Sequence, residues 1–219
     1  RDMVLSLSPG PAQVEVADHL SQNANMWRMT GDFWDVWDKL YEMFEKTEKW
    51  YPYVKNGCFP DCDMLPLGRL SKNGTCHGAQ NRYTQFTKDE QITMMTLWSV
   101  FRSPLFFGGE LRENDEWTLS LIPNEEGLAV NRFSHGAHPV KSDGKTIVWL
   151  SESRDNQPIV AIFNAADEER DILVGLSELG LDGEYTVRDL WRRKNIEKTH
   201  SELGGKINAH AAVLYLLKK

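Results

Sequence analysis

The chain has 219 residues, of which 41% are hydrophobic and 11% aromatic, enough to form the cores of one or two domains. Its formal net charge of −7 argues against a nucleic-acid partner, because neutralising phosphate groups requires a basic face and no cluster of Lys and Arg occurs. No apolar run approaches the roughly 20 residues that cross a bilayer, so we expect no membrane span.

The first residues are typical of a buried strand, predicted at residues 3–9 and ended by the breaker Pro9-Gly10-Pro11. A short helix is predicted at about residues 12–20. Because the chain opens on this strand without a leader or an initiating Met, we expect it to be a piece of a longer protein. The sequence therefore leaves the cellular compartment unknown.

A strand at about residues 24–29 carries Arg28, and Asp32 follows directly before a predicted helix of residues 33–49. The i, i+3, i+4, i+7 spacing of apolar residues indicates one buried helix face. That face comprises Phe33, Val36, Trp37, Leu40, Tyr41 and Phe44. Asp32 then has two interpretations: an N-cap of the helix, to which Asp35 adds a second favourable charge, or a functional carboxyl group after a strand.

Residues 50–87 have a loop-like pattern rich in Pro and Gly. A loop of this length within a compact region is usually either functional or disordered. It contains a second pair of carboxyl groups, Asp61 and Asp63, which point to opposite sides if the segment is extended, so we expect only one of them to face a pocket.

A capping box formed by Thr87 and Glu90 predicts the start of another helix. Its apolar residues occur on all sides, so we expect this helix to be largely buried. Ser103-Pro104 ends it, and a strand is predicted at residues 105–107.

From about residue 139 the pattern changes to short β-rich runs separated by Asn, Asp and Gly, without a helical period. These runs lie at residues 146–150, 158–163, 171–174, 183–188 and 211–217. Strands and helices alternate before this point, which is typical of a parallel α/β architecture. We therefore predict α/β plus all-β: an α/β domain at residues 1–136 and an antiparallel β domain at residues 137–219.

Several motifs in this order resemble the α-galactosidase (melibiase) group of glycoside hydrolases, family 27. The motifs are Trp27-Arg28 with Asp32 and Trp37, the segment from Gly57 to Gly68 with Asp63-Met64, the helix and strand of residues 91–107, and Asn124-Glu125 with Ala129-Val130-Asn131. The resemblance implies the second half of a (β/α)8 TIM barrel followed by a C-terminal antiparallel β-sandwich. It implies hydrolysis of terminal α-galactosides, without a cofactor or a metal.

The resemblance also implies roles for individual residues. Asp32 takes the family's acid/base position, Arg28 helps to hold the sugar near its 2-substituent, and Asp63 and Met64 contact the substrate. Asp61 is expected to be a turn or structural carboxylate, because this segment departs from the family pattern around it.

The protonation of Asp32 depends on two opposing effects. Burial among Trp27, Phe33 and Trp34 would favour retention of its proton, because burial disfavours a charged carboxylate. A nearby Arg28 would oppose retention, and Arg28 has its own structural interpretation as a salt-bridge partner of Asp32 or another barrel carboxylate.

The choice of sugar depends in the family partly on the loop after the strand at residues 3–9. Ser8 is small and favours the roomier pocket of α-N-acetylgalactosaminidases slightly, but its neighbours fit neither pattern. We therefore keep this specificity, a third subfamily specificity and a non-catalytic carbohydrate-binding domain as alternatives.

The family nucleophile lies on an earlier strand, in a Lys-x-Asp setting preceded by paired Asp residues, and this chain contains no such setting. We expect the chain alone to be inactive and to need the missing N-terminal barrel half or an oligomer partner. A half-barrel would also expose unpaired strand edges. The family resemblance implies a secreted or periplasmic location.

Three cysteines and one histidine suggest a further alternative, a metal-stabilised interaction domain. The residues are Cys58, Cys62, Cys76 and His77, but their spacing matches no common zinc finger, so we favour one disulfide with a spare thiol, or three free thiols. Asn73-Gly74-Thr75 fits a glycosylation acceptor, a frequent chance match.

Overall fold

The computed structural model describes residues 3–72, 74 and 80–219. The chain divides into two compact units, one formed by Arg1–Phe86 with Phe101–Ile122 and the other by Thr87–Val100 with Pro123–Lys219. Among the described residues, no helix is long and apolar enough to cross a bilayer.

The first unit contains a parallel sheet of three short strands: β1 (Ser6–Leu7), β2 (Met26–Arg28) and β3 (Phe59–Asp61). Leu7 pairs with Trp27, and Arg28 pairs with Asp61. Because the strands are parallel, their carboxyl ends lie at the same edge of the sheet. The segments that follow Leu7, Arg28 and Asp61 therefore meet at one edge.

The first predicted strand was too long. Only two of residues 3–9 are in β1, and Met3 and Val4 are 87% and 76% exposed. Leu5 still exchanges hydrogen bonds with Asn25, but β1 lies at the edge of this sheet and pairs with β2 alone in the described part of the chain. Similarly, the strand predicted at residues 105–107 is a single parallel bridge between Leu65 and Phe107.

The first unit also contains helices α1 (Ala17–Asn23) and α2 (Trp37–Trp50). The predicted start of α2 at residue 33 was wrong, because the chain is still extended at Val36. The buried face is also displaced from the prediction, since Val36 and Tyr41 are exposed. It consists of Leu40, Met43, Phe44, Thr47 and Trp50.

Helix α3 (Lys88–Phe101) begins as predicted, with a capping box. Thr87 N donates to Glu90 Oε2 at 2.8 Å, and Glu90 N donates to Thr87 Oγ1 at 3.2 Å. Residues 93–100 are all buried, which confirms the expectation of a largely buried helix. Two short helices that the sequence pattern missed follow, α4 (Glu116–Leu121) and α5 (Glu125–Phe133).

The second unit is built on two antiparallel sheets that share one apolar core. Its strands are β4 (His135–Ser142), β5 (Thr146–Glu152), β6 (Pro158–Asn164), β7 (Arg170–Gly175), β8 (Tyr185–Asp189), β9 (Lys194–Thr199), β10 (Glu202–Ile207) and β11 (Ala212–Lys218). One sheet has the order β4-β5-β6-β11-β8-β9, and β10 pairs with β7 in the other. The core includes Val160 of the larger sheet and Ile172 and Leu203 of the smaller one. This arrangement confirms the predicted antiparallel sandwich and adds β4, β9 and β10.

Asn124 and Trp191 fix α5 within this second unit. Asn124 Oδ1 accepts hydrogen bonds from two amides of the first helical turn, while its Nδ2 donates to the carbonyls of Leu190 and Trp191. Trp191 Nε1 donates to Thr96 Oγ1 at 2.8 Å. The Trp191 ring leaves no room for a side chain at Gly127, where an added Cβ would lie 2.7 Å from the ring.

We expect Gly127→Ala to destabilise the chain by about 2 kcal/mol, because the added methyl group overpacks the contact with Trp191. Helix propensity alone predicts the opposite, a gain of about 1 kcal/mol. The free energy of unfolding from urea titration distinguishes the two. In a Trp191→Phe background the penalty should largely vanish; an equal penalty in both backgrounds would contradict the contact.

Candidate active site

The candidate site lies at the carboxyl edge of the parallel sheet in the first unit. Strand β2 ends at Arg28 and continues into the segment with Asp32, while β3 ends at Asp61 and continues to Asp63. Arg28 and Asp61 are paired neighbours in the sheet. Residues that are far apart in sequence are thereby brought to one point.

Arg28 is the centre of this cluster. Its Nη2 lies 2.8 Å from Asp63 Oδ2 and 3.4 Å from Asp32 Oδ1, and it donates to the carbonyl of Gly31 at 2.7 Å. The side chains of Arg28 and Asp63 are only 12% and 14% exposed. Asp63 Oδ2 also accepts the backbone N–H of Phe33 at 2.7 Å. The salt-bridge interpretation of Arg28 is therefore confirmed, with Asp63 as the shorter and more buried pair.

Asp32 differs sharply from its neighbours in exposure. Its side chain is 80% exposed, so the expectation that Trp27, Phe33 and Trp34 bury it was wrong. The N-cap interpretation was also wrong, because α2 begins at Trp37 and Val36 occupies the N-cap position. The aromatic side chains of Trp27 and Phe33 are buried in the core, whereas the carboxylate of Asp32 is left accessible to a ligand.

Asp61 is a buried carboxyl group, only 5% exposed. Burial raises its pKa from an ordinary 3.8 to about 6, and the nearby Asp63 charge acts in the same direction. The backbone N–H of Asp63, which donates to Asp61 Oδ1 at 2.8 Å, and the Arg28 charge both lower this pKa, but burial dominates. The expectation of a structural carboxylate agrees with this geometry.

Met64 and Ser8 complete the set of residues predicted for the site. The thioether of Met64 packs over Gly108, where an added Cβ would lie 2.6 Å from Sδ. Gly108 therefore makes room for Met64, a role that the sequence pattern did not indicate. Ser8 is exposed, one residue beyond the Leu7–Trp27 pair, and the structure gives it no polar contact with Arg28.

A second ion pair, which the sequence did not predict, anchors the segment that carries Asp32. Asp35 is fully buried and accepts from both terminal nitrogens of Arg82, at 2.5 and 2.9 Å, and from the backbone N–H of Gln85. Asp35 was expected to add charge at a helix start. Its partner lies 47 residues away, so no local pattern could have identified the pair.

Cys58 and Cys62 are free thiols, and Cys62 is buried. Within residues 3–72, 74 and 80–219, no three His, Cys, Asp or Glu side chains are grouped so as to hold a metal ion. Cys76 and His77, which belong to the disfavoured zinc alternative, lie outside the described residues, as do Asn73 and Thr75 of the glycosylation pattern.

Two family models match the chain. The one described as Alpha galactosidase A matches residues 8–133, more than half of the chain, and the one described as Alpha galactosidase C-terminal beta sandwich domain matches residues 143–217. The fold is thus that of part of a glycoside hydrolase. The chain belongs to the α-galactosidase (melibiase) family, glycoside hydrolase family 27, and consists of the second half of its TIM barrel followed by the β-sandwich.

Solved structures resemble the chain over its full length. A family 27 β-L-arabinopyranosidase from Geobacillus stearothermophilus is 46% identical, with a TM-score of 0.94, and the match covers 100% of this chain and 50% of that one. The same enzyme has been solved in complex with arabinose. A putative α-N-acetylgalactosaminidase from Bacillus halodurans is 37% identical, with a TM-score of 0.82, covering 100% of this chain and 50% of that one.

Curated relatives carry the name α-galactosidase. Alpha-galactosidase 2 of Arabidopsis thaliana is 29% identical over 199 residues, which cover 89% of this chain and 47% of the relative. The α-galactosidase of Cyamopsis tetragonoloba is 30% identical over 197 residues, covering 88% and 44%. The chain spans about half the length of the curated relatives it matches.

We expect Arg82→Met to destabilise the chain by about 3 kcal/mol, because it leaves the buried charge of Asp35 without its partner. The free energy of unfolding measures this loss. Arg112→Met is the matched control, since the exposed Arg112 pairs with Glu110 and its removal should change stability far less than that of Arg82. Equal losses in the two variants would contradict a special role for the buried pair.

The raised pKa of Asp61 predicts how stability changes with pH. A carboxyl group with a raised folded-state pKa contributes stability below its unfolded pKa of 3.8, and this contribution is lost as pH rises through about 6. Relative to wild type, Asp61→Asn should therefore gain about 2 kcal/mol of unfolding free energy between pH 4 and pH 7.

Asp143→Asn provides a control of opposite sign. Hydrogen bonds from the backbone N–H groups of Thr146 and Lys145 lower the pKa of Asp143, so its stabilising contribution is present above pH 3.8 and is lost at lower pH. Urea titrations from pH 3 to pH 7 measure both variants. A stability difference for Asp61→Asn that does not change between pH 4 and pH 7 would contradict the burial argument.

Proposed function

We propose that this chain provides the acid/base half of a retaining glycosidase, in which Asp32 donates a proton to the leaving oxygen and then activates water. The observation that carries the proposal is the contrast in exposure at the Arg28 cluster. Arg28 and Asp63 form a buried pair, while Asp32, at the same sheet edge, keeps an accessible carboxylate. A proton donor has to reach the glycosidic oxygen of a bound substrate, and only Asp32 of the two acidic partners of Arg28 is accessible enough to do so.

Retaining glycosidases use two carboxyl groups about 5 to 5.5 Å apart, one as nucleophile and one as acid/base. The family's setting for the nucleophile, a Lys-x-Asp preceded by paired Asp residues, does not occur in residues 1–136, and the Lys-x-Asp at Lys141-Ser142-Asp143 lies at the end of β4 without such a pair. We therefore propose that the nucleophile comes from a preceding barrel half or from a partner chain. Asp63 is unsuited to that task, because its charge is already engaged by Arg28 and by the N–H of Phe33.

Arg28, Asp63, Met64 and Ser8 form the proposed sugar-contacting surface. Arg28 and Asp63 hold each other in place through their ion pair. Their polar atoms are therefore already ordered when the sugar binds, which lowers the entropic cost of binding. Met64 supplies an apolar contact whose position is set by Gly108. Ser8 is at the end of the neighbouring strand, where a small side chain leaves space for a substituent on the ring.

The first proposed substrates are terminal α-galactosides, in line with the names of the curated relatives. The second candidates are β-L-arabinopyranosides, because the 46% identical structure is an enzyme of that specificity. The two sugars share their ring configuration, and β-L-arabinopyranose lacks only the hydroxymethyl group at C5. An α-N-acetylgalactosaminide is the third candidate.

We also propose that the domain boundary lies near residues 136 and 137, between the ends of the two family matches.

To test the role of Asp32, the chain can be fused behind the N-terminal half of the Geobacillus stearothermophilus enzyme, which completes the barrel. We expect the fusion to hydrolyse a nitrophenyl glycoside of one of the three sugars, and the chain alone to hydrolyse none. A chain that turns over substrate alone would contradict the proposal of an external nucleophile.

Within the fusion, Asp32→Ala separates acid/base catalysis from a structural role. We expect kcat/KM to fall about 1,000-fold for an alkyl glycoside, whose leaving group needs protonation, and much less for a dinitrophenyl glycoside. Added azide should restore turnover of the activated substrate. Asp38→Ala, on the first turn of α2, is the matched control and should leave kcat/KM within about twofold; equal losses for both leaving groups would contradict the assignment of Asp32.

A further inference from the structure

The backbone at Asp63 has an unusual conformation. Its φ angle is +75°, in the left-handed region that a residue with a Cβ rarely adopts. Such a conformation persists only where surrounding contacts compensate for it. The contacts that hold this turn are therefore informative about the site.

Two consecutive N–H groups of the turn are held by buried side-chain oxygens. Cys62 N donates to Ser103 Oγ at 3.0 Å, and Asp63 N donates to Asp61 Oδ1 at 2.8 Å. Ser103 is fully buried and Asp61 is 5% exposed. The bond to Asp61 ends at the N–H of Asp63, so it holds the peptide plane from which the left-handed φ angle sets the direction of the Asp63 side chain.

This direction determines the contacts of the Asp63 carboxylate. With the turn in place, Asp63 Oδ2 lies 2.7 Å from Phe33 N and 2.8 Å from Arg28 Nη2. A change of φ at Asp63 would rotate its side chain away from both partners. Arg28 would then lose its most buried ion-pair partner, and only the longer, exposed contact with Asp32 would remain.

We propose that Asp61 is a positioning residue of the site: its buried oxygen holds the left-handed turn at Asp63, and the turn directs the Asp63 carboxylate onto Arg28. The fold keeps this carboxyl group although burial disfavours its charged form. The hydrogen bond that Asp61 accepts from the N–H of Asp63 therefore offsets the unfavourable burial of its carboxyl group. The inference concerns the same residues as the proposed function and extends it to a residue behind the sugar-contacting surface.

The test uses the full chain and two amide signals in ¹H–¹⁵N NMR spectra, those of Asp63 and Phe33. Asp61→Asn keeps an acceptor oxygen, so at pH 4, where Asp61 is also neutral, both amides should retain their wild-type shifts and slow hydrogen exchange. Asp61→Leu removes the acceptor, and exchange of the Asp63 amide should accelerate at least tenfold while the Phe33 amide shifts. Ser103→Ala is the matched control, which should alter the Cys62 amide and leave Phe33 unchanged.

A titration of wild type keeps the test decisive if Asp61→Leu does not fold. The Asp63 amide shift should follow the protonation of Asp61 between pH 4 and pH 7, and this step should be absent from Asp61→Asn. Arg28, Asp32 and Asp63 are present in both proteins, so they cannot account for the difference. An Asp63 amide that titrates identically in the two proteins, or a Phe33 amide unaffected by Asp61→Leu, would overturn the proposal. The NMR measurements require no sugar. If the proposed glycosidase activity were not found, the conclusion about Asp61 would therefore still stand or fall on the amide signals alone.

Discussion

The buried ion pair between Arg28 and Asp63 is the interaction on which the candidate site depends. Removing two charges from water is costly, and their attraction compensates only where further hydrogen bonds satisfy the remaining polar atoms. Here Gly31 provides an acceptor for the guanidinium and Phe33 a donor for the carboxylate. Both of these backbone groups belong to the segment after β2. The pair therefore fixes this segment as well as joining two strands.

Fixing the segment determines where Asp32 lies. The Arg28 pair holds the segment at Gly31 and Phe33, and the buried pair of Asp35 with Arg82 holds it again just before α2. Asp32 lies between these anchors with an exposed carboxylate. An accessible acid on a rigid support is what proton transfer to a bound glycoside requires, because the geometry is set before the substrate arrives.

The sequence allowed the order of elements to be predicted where the pattern is local. The capping box at Thr87 and Glu90 and the change to short β runs near residue 139 are of this kind, and the structure confirms both. The resemblance identified the family and directed attention to Asp32 and Asp63. Their catalytic and sugar-binding roles remain proposals.

What the sequence did not reveal depends on contacts between distant residues. The pair of Asp35 with Arg82 joins segments 47 residues apart, and it keeps residues 33–36 out of the helix that their apolar spacing suggested. Strands β9 and β10 were missed because Lys, Glu and Gly obscure their alternation. The exposure of Asp32 was missed for a related reason: neighbouring aromatic residues turn into the core, while the carboxylate between them does not.

The most direct test of this account is a double-mutant cycle on the unfolding free energy of the chain, with Arg28→Met, Asp63→Asn and the combined variant. We expect a coupling energy of about 2 kcal/mol or more for this pair, because removing either partner leaves a buried charge. The same cycle with Asp32→Asn in place of Asp63→Asn should give less than about 0.5 kcal/mol, since Asp32 is exposed. Additive effects of Arg28→Met and Asp63→Asn would contradict the claim that their ion pair organises the site.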